Sequence, residues 1–205
     1  MPKKKGSIQP DRPLYKGPQM AMFIDWDNIR IHVHNMGLRL KVLKCVEYLC
    51  GSAFKGTGPR YLYKALTSNR SLEDGLTSST LKVMTQITLR EKEITAGYHK
   101  KLGRVVRSAN MDVDLTIDVM DFLRKHGDGV KKIVLVSGDG DFVSLARRIK
   151  AHRHDRPIKV VVVGWHLTTS ALLREEADEF IPLDLVSHQI IEYQRTRFIS
   201  AALVG

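Results

Sequence analysis

The sequence predicts an α/β fold, with a mostly parallel central sheet and helices on both of its faces. Three observations carry this. The chain has 205 residues, 43% hydrophobic and 27% charged, which is enough to bury a real core in one domain. Short unbroken apolar runs recur at 20–24, 133–136 and 160–163, as strands buried on both faces require. Segments with apolar residues at helical spacing lie between them.

The elements follow in order. Residues 1–19 carry Lys3, Lys4, Lys5 and Lys16 among prolines, without periodicity, and read as a flexible basic arm. Met20 to Ile24 is a buried strand ending in Asp25-Trp26-Asp27-Asn28. Leu38 to Leu49 has helical spacing through Leu40, Leu43, Val46, Tyr48 and Leu49. Gly51 to Pro59 is a turn-rich link, and Arg60 to Leu66 alternates as a strand. Residues 67–92 are polar, with a helical tendency from about Leu81 to Arg90. Ile94 to Leu102 reads as a strand, and Asn110 is placed to cap a helix running to about Lys125. Ile133 to Val136 is a strand ending at Ser137-Gly138-Asp139-Gly140-Asp141, and Phe142 to Ala151 is a helix. Ile158 to Val163 is a strand, Thr169 to Ala177 a short helix, Phe180 to Val186 a last strand and His188 to Arg197 a C-terminal helix. The expected organisation is an arm over 1–19, a domain over 20–186 and a C-terminal helix or tail over 187–205.

Charge narrows the partners. Lys plus Arg exceed Asp plus Glu by 33 to 22, a net charge of +11, which suits a polyanion. Cys45 and Cys50 lie in an apolar stretch without zinc-type spacing and read as core thiols of a reducing compartment. The N-terminus lacks a signal-peptide apolar region, and runs such as Val160 to Val163 are too short to span a bilayer. The expectation is a cytoplasmic protein without membrane association.

Right-handed crossovers in a parallel sheet place all strand C-terminal ends on one edge, where ligands bind. Asp25 ends one strand, and Asp139 and Asp141 follow another, so these carboxylates should converge. A third acidic group comprises Asp112, at a helix start, and Asp114, Asp118 and Asp121, which share a helical face. Clustered carboxylates repel unless a cation compensates them. Oxygen-only ligands select Mg²⁺ or Mn²⁺. Such ions polarise phosphates and activate water. An acidic site on a basic protein therefore fits phosphodiester chemistry.

Competing motifs fail. There is no GxxxxGK[ST] loop, no complete dinucleotide fingerprint and no G-x-S-x-G elbow. The pairs His32/His34 and His152/His154 lack a third nearby ligand and read as surface histidines. Asp25-x-Asp27 is similar to the nucleophile loop of haloacid-dehalogenase-like phosphatases. That family, however, separates its Ser/Thr and late acidic motifs onto different strands, whereas Ser137 and Asp139 end one strand here.

The runs FIDWDN (23–28), MDVDLTID (111–118), LVSGDGDF (135–142) and SALLREEADEFIPL (170–183) together resemble the NYN domain family, the LabA-like group of the PIN-like nuclease superfamily. The resemblance covers about residues 20–185 and is most specific at S-G-D-x-D-F. It implies a PIN-like three-layer α/β/α sandwich and a Mg²⁺- or Mn²⁺-dependent ribonuclease site. Carried onto this chain, Asp25, Asp112, Asp139 and Asp141 are the metal-binding and catalytic acids, with Asn28 and Ser137 as supporting polar groups and Asp118 as a further acid. Two departures stand out. The basic residue common before the middle acid is missing from Ala109-Asn110-Met111-Asp112, leaving Arg107 one turn away. Trp26 stands where a small residue is common and is expected to narrow the site.

The resulting expectation is a metal-dependent endoribonuclease, with RNA held by Lys100, Lys101, Arg104 and Arg107 and aided by the basic arm. A homodimer is compatible with this reading. The alternative is an RNA-binding or regulatory module with a vestigial site, because activity does not follow from fold.

Overall fold

Continuous apolar strands work here because each one feeds two cores. In the first strand, Met20, Met22 and Ile24 face one side while Ala21 and Phe23 face the other. The strands at 132–136 and 159–164 divide in the same way, Val134, Val136, Val161 and Val163 against Ile133, Leu135, Val160 and Val162. This is the three-layer arrangement the sequence predicts.

The computed structural model describes residues 17–51, 54, 58–66, 87–99, 104–108, 111–153 and 155–193. Six parallel strands form the central sheet: β1 (Met20–Asp25), β3 (Arg60–Leu66), β4 (Ile87–Glu93), β7 (Lys132–Val136), β8 (Lys159–Gly164) and β9 (Glu179–Pro182), in the order β4-β3-β1-β7-β8-β9. Helices α1 (Trp26–Asn35) and α2 (Val42–Cys50) cover one face through Ile29, Val33, Cys45, Val46 and Leu49. Helices α3 (Asp112–His126), α4 (Val143–Lys150) and α5 (Ala171–Glu176) cover the other through Leu115, Val119, Phe122, Leu145, Ile149 and Leu173.

The strand order dictates where a ligand can bind. From β1 the chain winds outward to β3 and β4, and from β7 it winds the opposite way to β8 and β9. The order therefore reverses between β1 and β7, and the crevice beyond the C-terminal ends of these two strands is the topological switch point.

Several elements differ from the sequence expectation. Leu38–Leu40 is a short strand, β2, and helix α2 begins only at Val42. The predicted helical tendency near 81–90 gives way to strand β4 from Ile87, because tertiary pairing with β3 overrides local propensity. The strand expected at 94–102 is β5 (Thr95–His99), an antiparallel hairpin partner of β6 (Arg104–Ser108). Helix α3 is preceded by Met111, which makes no side-chain cap bond, and Asn110 lies outside the described residues. The last sheet strand stops at Pro182 and a 3₁₀ turn over Leu183–Val186 follows. The predicted C-terminal helix reduces to one turn, α6 (Ser187–Ile190), after which β10 (Ile191–Tyr193) pairs antiparallel with β2. The basic arm at 1–16, and 194–205, lie outside the described residues. Among the described residues no helix is long and apolar enough to cross a membrane.

Candidate metal centre

Asp25 sits at the C-terminal tip of β1 and caps α1, its Oδ1 accepting from the Asn28 backbone N–H at 3.2 Å. Its other oxygen accepts from the Ser137 hydroxyl at 2.9 Å. Ser137 Oγ in turn accepts from the Asp139 backbone N–H at 3.1 Å. Asn28 Oδ1 accepts from the Gly138 N–H at 2.8 Å, so the first turn of α1 is tied directly to the loop after β7. Two of these bonds, Ser137 to Asp25 and Gly138 to Asn28, cross the switch point and lace the two strand ends together.

The S-G-D-x-D-F pattern now has a physical reading. Asp139 caps a 3₁₀ turn (Gly140–Phe142), its Oδ1 accepting from the Asp141 N–H at 2.9 Å, and buried Phe142 anchors that turn in the core. Gly138 suits a close approach: a Cβ there would lie 3.0 Å from the Thr169 backbone, in the β8–α5 loop that the Ser170 N–H to Gly138 carbonyl bond of 2.9 Å holds down.

Helix α3 brings the last acid. Asp112 opens it, and one carboxylate oxygen from each of Asp112, Asp139 and Asp141 lies within 4.8 Å of the others. Asp25 stands behind this trio and outside its 4.8 Å radius, yet close enough that the Asp112 charge is felt there. Burial pushes the Asp25 carboxyl up to about 6, against the lowering effect of the Asn28 N–H and the Ser137 hydroxyl. Asp112 is also raised, first by burial and then by the charges of Asp139 and Asp141. Three hard oxygen donors in mutual repulsion at a solvent-facing rim are the donor set that Mg²⁺ or Mn²⁺ fits.

The structure separates the other candidates. Asp118 is six residues beyond Asp112, about 240° around the helix, and is not in the trio. It accepts instead from the Tyr63 hydroxyl at 2.8 Å and from Arg90 Nε at 3.1 Å. Asp114 pairs with Lys92 at 2.8 Å, and exposed Asp121 with Arg124 at 3.4 Å. Asp27 is occupied by the Ala65 N–H and Arg30. Trp26 does not narrow the site: it is fully buried in the core beneath α1. His32 packs on Trp165, His34 is exposed and His154 lies outside the described residues. Lys100 and Lys101 also lie outside them, and for Arg104 and Arg107 the structure describes only the backbone of β6.

Sequence reasoning missed Tyr63, Arg90 and Lys92, which face α3 and bond to its Asp118 and Asp114. The signal was present in the alternation of Arg90 and Lys92, hidden by the helical reading of that stretch.

The NYN domain family model matches residues 19–184. The chain belongs to the NYN domain family. NYN domains are generally nucleases of the PIN-like type, and the residues matched here span every element that builds the trio. Among solved structures, a protein of unknown function from Vibrio parahaemolyticus matches with a TM-score of 0.59 and 22% identity, over 86% of this chain and 97% of its own. That likeness supports the fold. No curated protein matches this NYN domain.

Proposed function

We propose that this NYN domain is a divalent-metal-dependent ribonuclease that hydrolyses RNA phosphodiester bonds endonucleolytically. The observation that carries the reading is the convergence of Asp112, Asp139 and Asp141 within 4.8 Å, backed by Asp25, at the switch point of a basic protein. Asp112, Asp139 and Asp141 would hold Mg²⁺ or Mn²⁺, with Asp25 completing the negative field from behind. When bound, such an ion polarises a phosphate oxygen and lowers the pKa of bound water.

The chain's own groups do the rest. Asp139 is fixed by its turn and by Ser137, so its carboxylate does not have to reorganise on binding. Ser137 and the Asn28 N–H hold both Asp25 oxygens in place, which fixes the negative charge behind the trio. The net charge of +11 attracts the RNA backbone toward an acidic rim that would otherwise repel it.

The deciding experiment is incubation of the purified protein with mixed-sequence single-stranded RNA in Mn²⁺ or Mg²⁺ and, in parallel, in EDTA. Internal cleavage in metal that EDTA abolishes is the expected result. RNA binding without cleavage in either metal would replace this reading with that of a binding module.

A further inference from the structure

Against the same helix that carries Asp112, a groove of about 400 Å³ runs between the outer edge of the sheet and α3, lined by Tyr63, Arg90, Lys92, Met111, Asp114 and Ile117 among others. Building on the ribonuclease reading, we propose that this groove is a base-reading subsite. It would hold one nucleobase of a single-stranded RNA whose neighbouring phosphodiester lies at the trio, and would favour bases that carry an amino group over uracil.

Position comes first. Met111 and Asp114 line the groove and flank Asp112 on the first turn of α3, so the groove's lining comes within one residue of the trio along the chain. Its volume suits a small ligand and is too small for a duplex.

Charge then decides which part of a nucleotide enters. The lining holds Arg90 and Lys92 against Glu91, Asp114 and Asp118. Three acids against two bases disfavour a phosphate and suit a neutral group that donates hydrogen bonds. A carboxylate has about four acceptor positions. Lys92 takes one on Asp114. The remaining capacity matches an exocyclic amino group, which adenine, cytosine and guanine carry and uracil lacks.

The walls supply the apolar contact. Ile117 is 54% exposed on a helix whose inner face is buried, an otherwise unexplained apolar side chain at the groove's wall. The Arg90 guanidinium is held by Asp118 at 3.1 Å and lies over the Tyr61 ring at 5.7 Å, a planar cation of the kind on which bases stack. The Tyr63 hydroxyl, bonded to Asp118, fixes the floor.

The test uses the full chain in EDTA, so that binding is read without cleavage. Octa-adenylate, octacytidylate and octauridylate are titrated against the wild type and against Asp114→Ala and Ile117→Ala, both at exposed positions. The wild type is expected to bind octa-adenylate and octacytidylate more tightly than octauridylate by about fivefold or more. Asp114→Ala should collapse that ratio toward one, and Ile117→Ala should weaken all three several-fold. The ratio is the readout, because deleting any acid strengthens RNA binding generally. If all three RNAs bind alike, or if the Asp114→Ala protein keeps the wild-type ratio, the subsite is excluded while metal-dependent cleavage can still stand. If no RNA binds and none is cleaved in Mn²⁺, both readings fall together.

Discussion

Ser137 ties three parts of the site together: it donates to Asp25, accepts from the Asp139 N–H and directly follows the β7 strand. Ser137→Ala should lower metal-dependent cleavage by about 10–100-fold, the usual cost of losing a group that orients metal ligands. It should also destabilise the fold by about 1–3 kcal/mol, because a buried carboxylate oxygen loses its donor. Asp139→Asn removes a ligand charge and should abolish cleavage while RNA is still bound, as measured by single-turnover kinetics and filter binding. Asp121→Asn is the control and should behave as wild type, since Asp121 sits on the exposed face of α3 and pairs only with Arg124 among the described contacts. Equal damage from Asp121→Asn would show that the wrong face of α3 had been assigned to the chemistry. A separate residue effect concerns alkaline pH. Burial pushes the Cys45 thiol from 9.0 up to about 12. Between those values the unfolded chain releases the proton and the native state keeps it, so stability is full below pH 9 and falls as pH rises through the window, by about 1.4 kcal/mol per unit at most. Burial also raises Tyr48, Tyr61 and Tyr63, which adds to the loss with the same sign. Denaturant midpoints at pH 8 and pH 10 check it: Cys45→Ala should be less stable at both but should lose less between them.

The β8–α5 loop shows how an element far in sequence completes the site. A Cβ on Gly164 would collide with Thr169 Oγ1, which is buried and donates to the Trp165 carbonyl at 2.7 Å. Gly164→Ala should therefore push the loop off Gly138, lowering both thermal stability and cleavage, and hydrogen exchange should increase at Ser170, whose N–H binds the Gly138 carbonyl. Unchanged exchange at Ser170 would show that the loop absorbs the methyl group elsewhere. This coupling was invisible in the sequence, which shows Gly164 only as the end of an apolar run. What could be read from sequence were the elements buried on both faces: β1, β7 and β8 announce themselves by unbroken apolar runs, and their acidic ends place Asp25, Asp139 and Asp141 on one edge by topology alone. Strand β4 escaped because an edge strand carrying Arg90, Glu91, Lys92 and Glu93 has one pairing neighbour and little apolar surface. Its identity comes from a register with β3, Tyr63 opposite Arg90, that only the folded chain contains. Asp118 was drawn into the site for a related reason: sharing a helix with Asp112 says nothing about which neighbour each turn meets, and here that neighbour is β4.

For the molecule as a whole, the net charge of +11 and the acidic rim pull in opposite directions on a nucleic acid, and salt separates them. Contacts between cations and phosphates release counterions, so affinity for single-stranded RNA falls with salt along a slope of about −0.7 per neutralised phosphate. If Lys100, Lys101, Arg104 and Arg107 each meet a phosphate, replacing all four with alanine should flatten that slope by about 3. Replacing Lys3, Lys4 and Lys5 should flatten it by about 2 if the arm contributes as well. The metal centre enters with the opposite sign. In EDTA the trio repels the backbone, so Mn²⁺ should strengthen binding to a non-cleavable RNA, and Asp139→Asn should strengthen binding in EDTA while reducing the gain from Mn²⁺. Fluorescence anisotropy from low to moderate salt, with and without Mn²⁺, reads both effects on one protein. A slope unchanged by the four-residue substitution would move the RNA path away from the β5–β6 hairpin, and an affinity indifferent to salt would remove the polyanion from the account of this charge altogether.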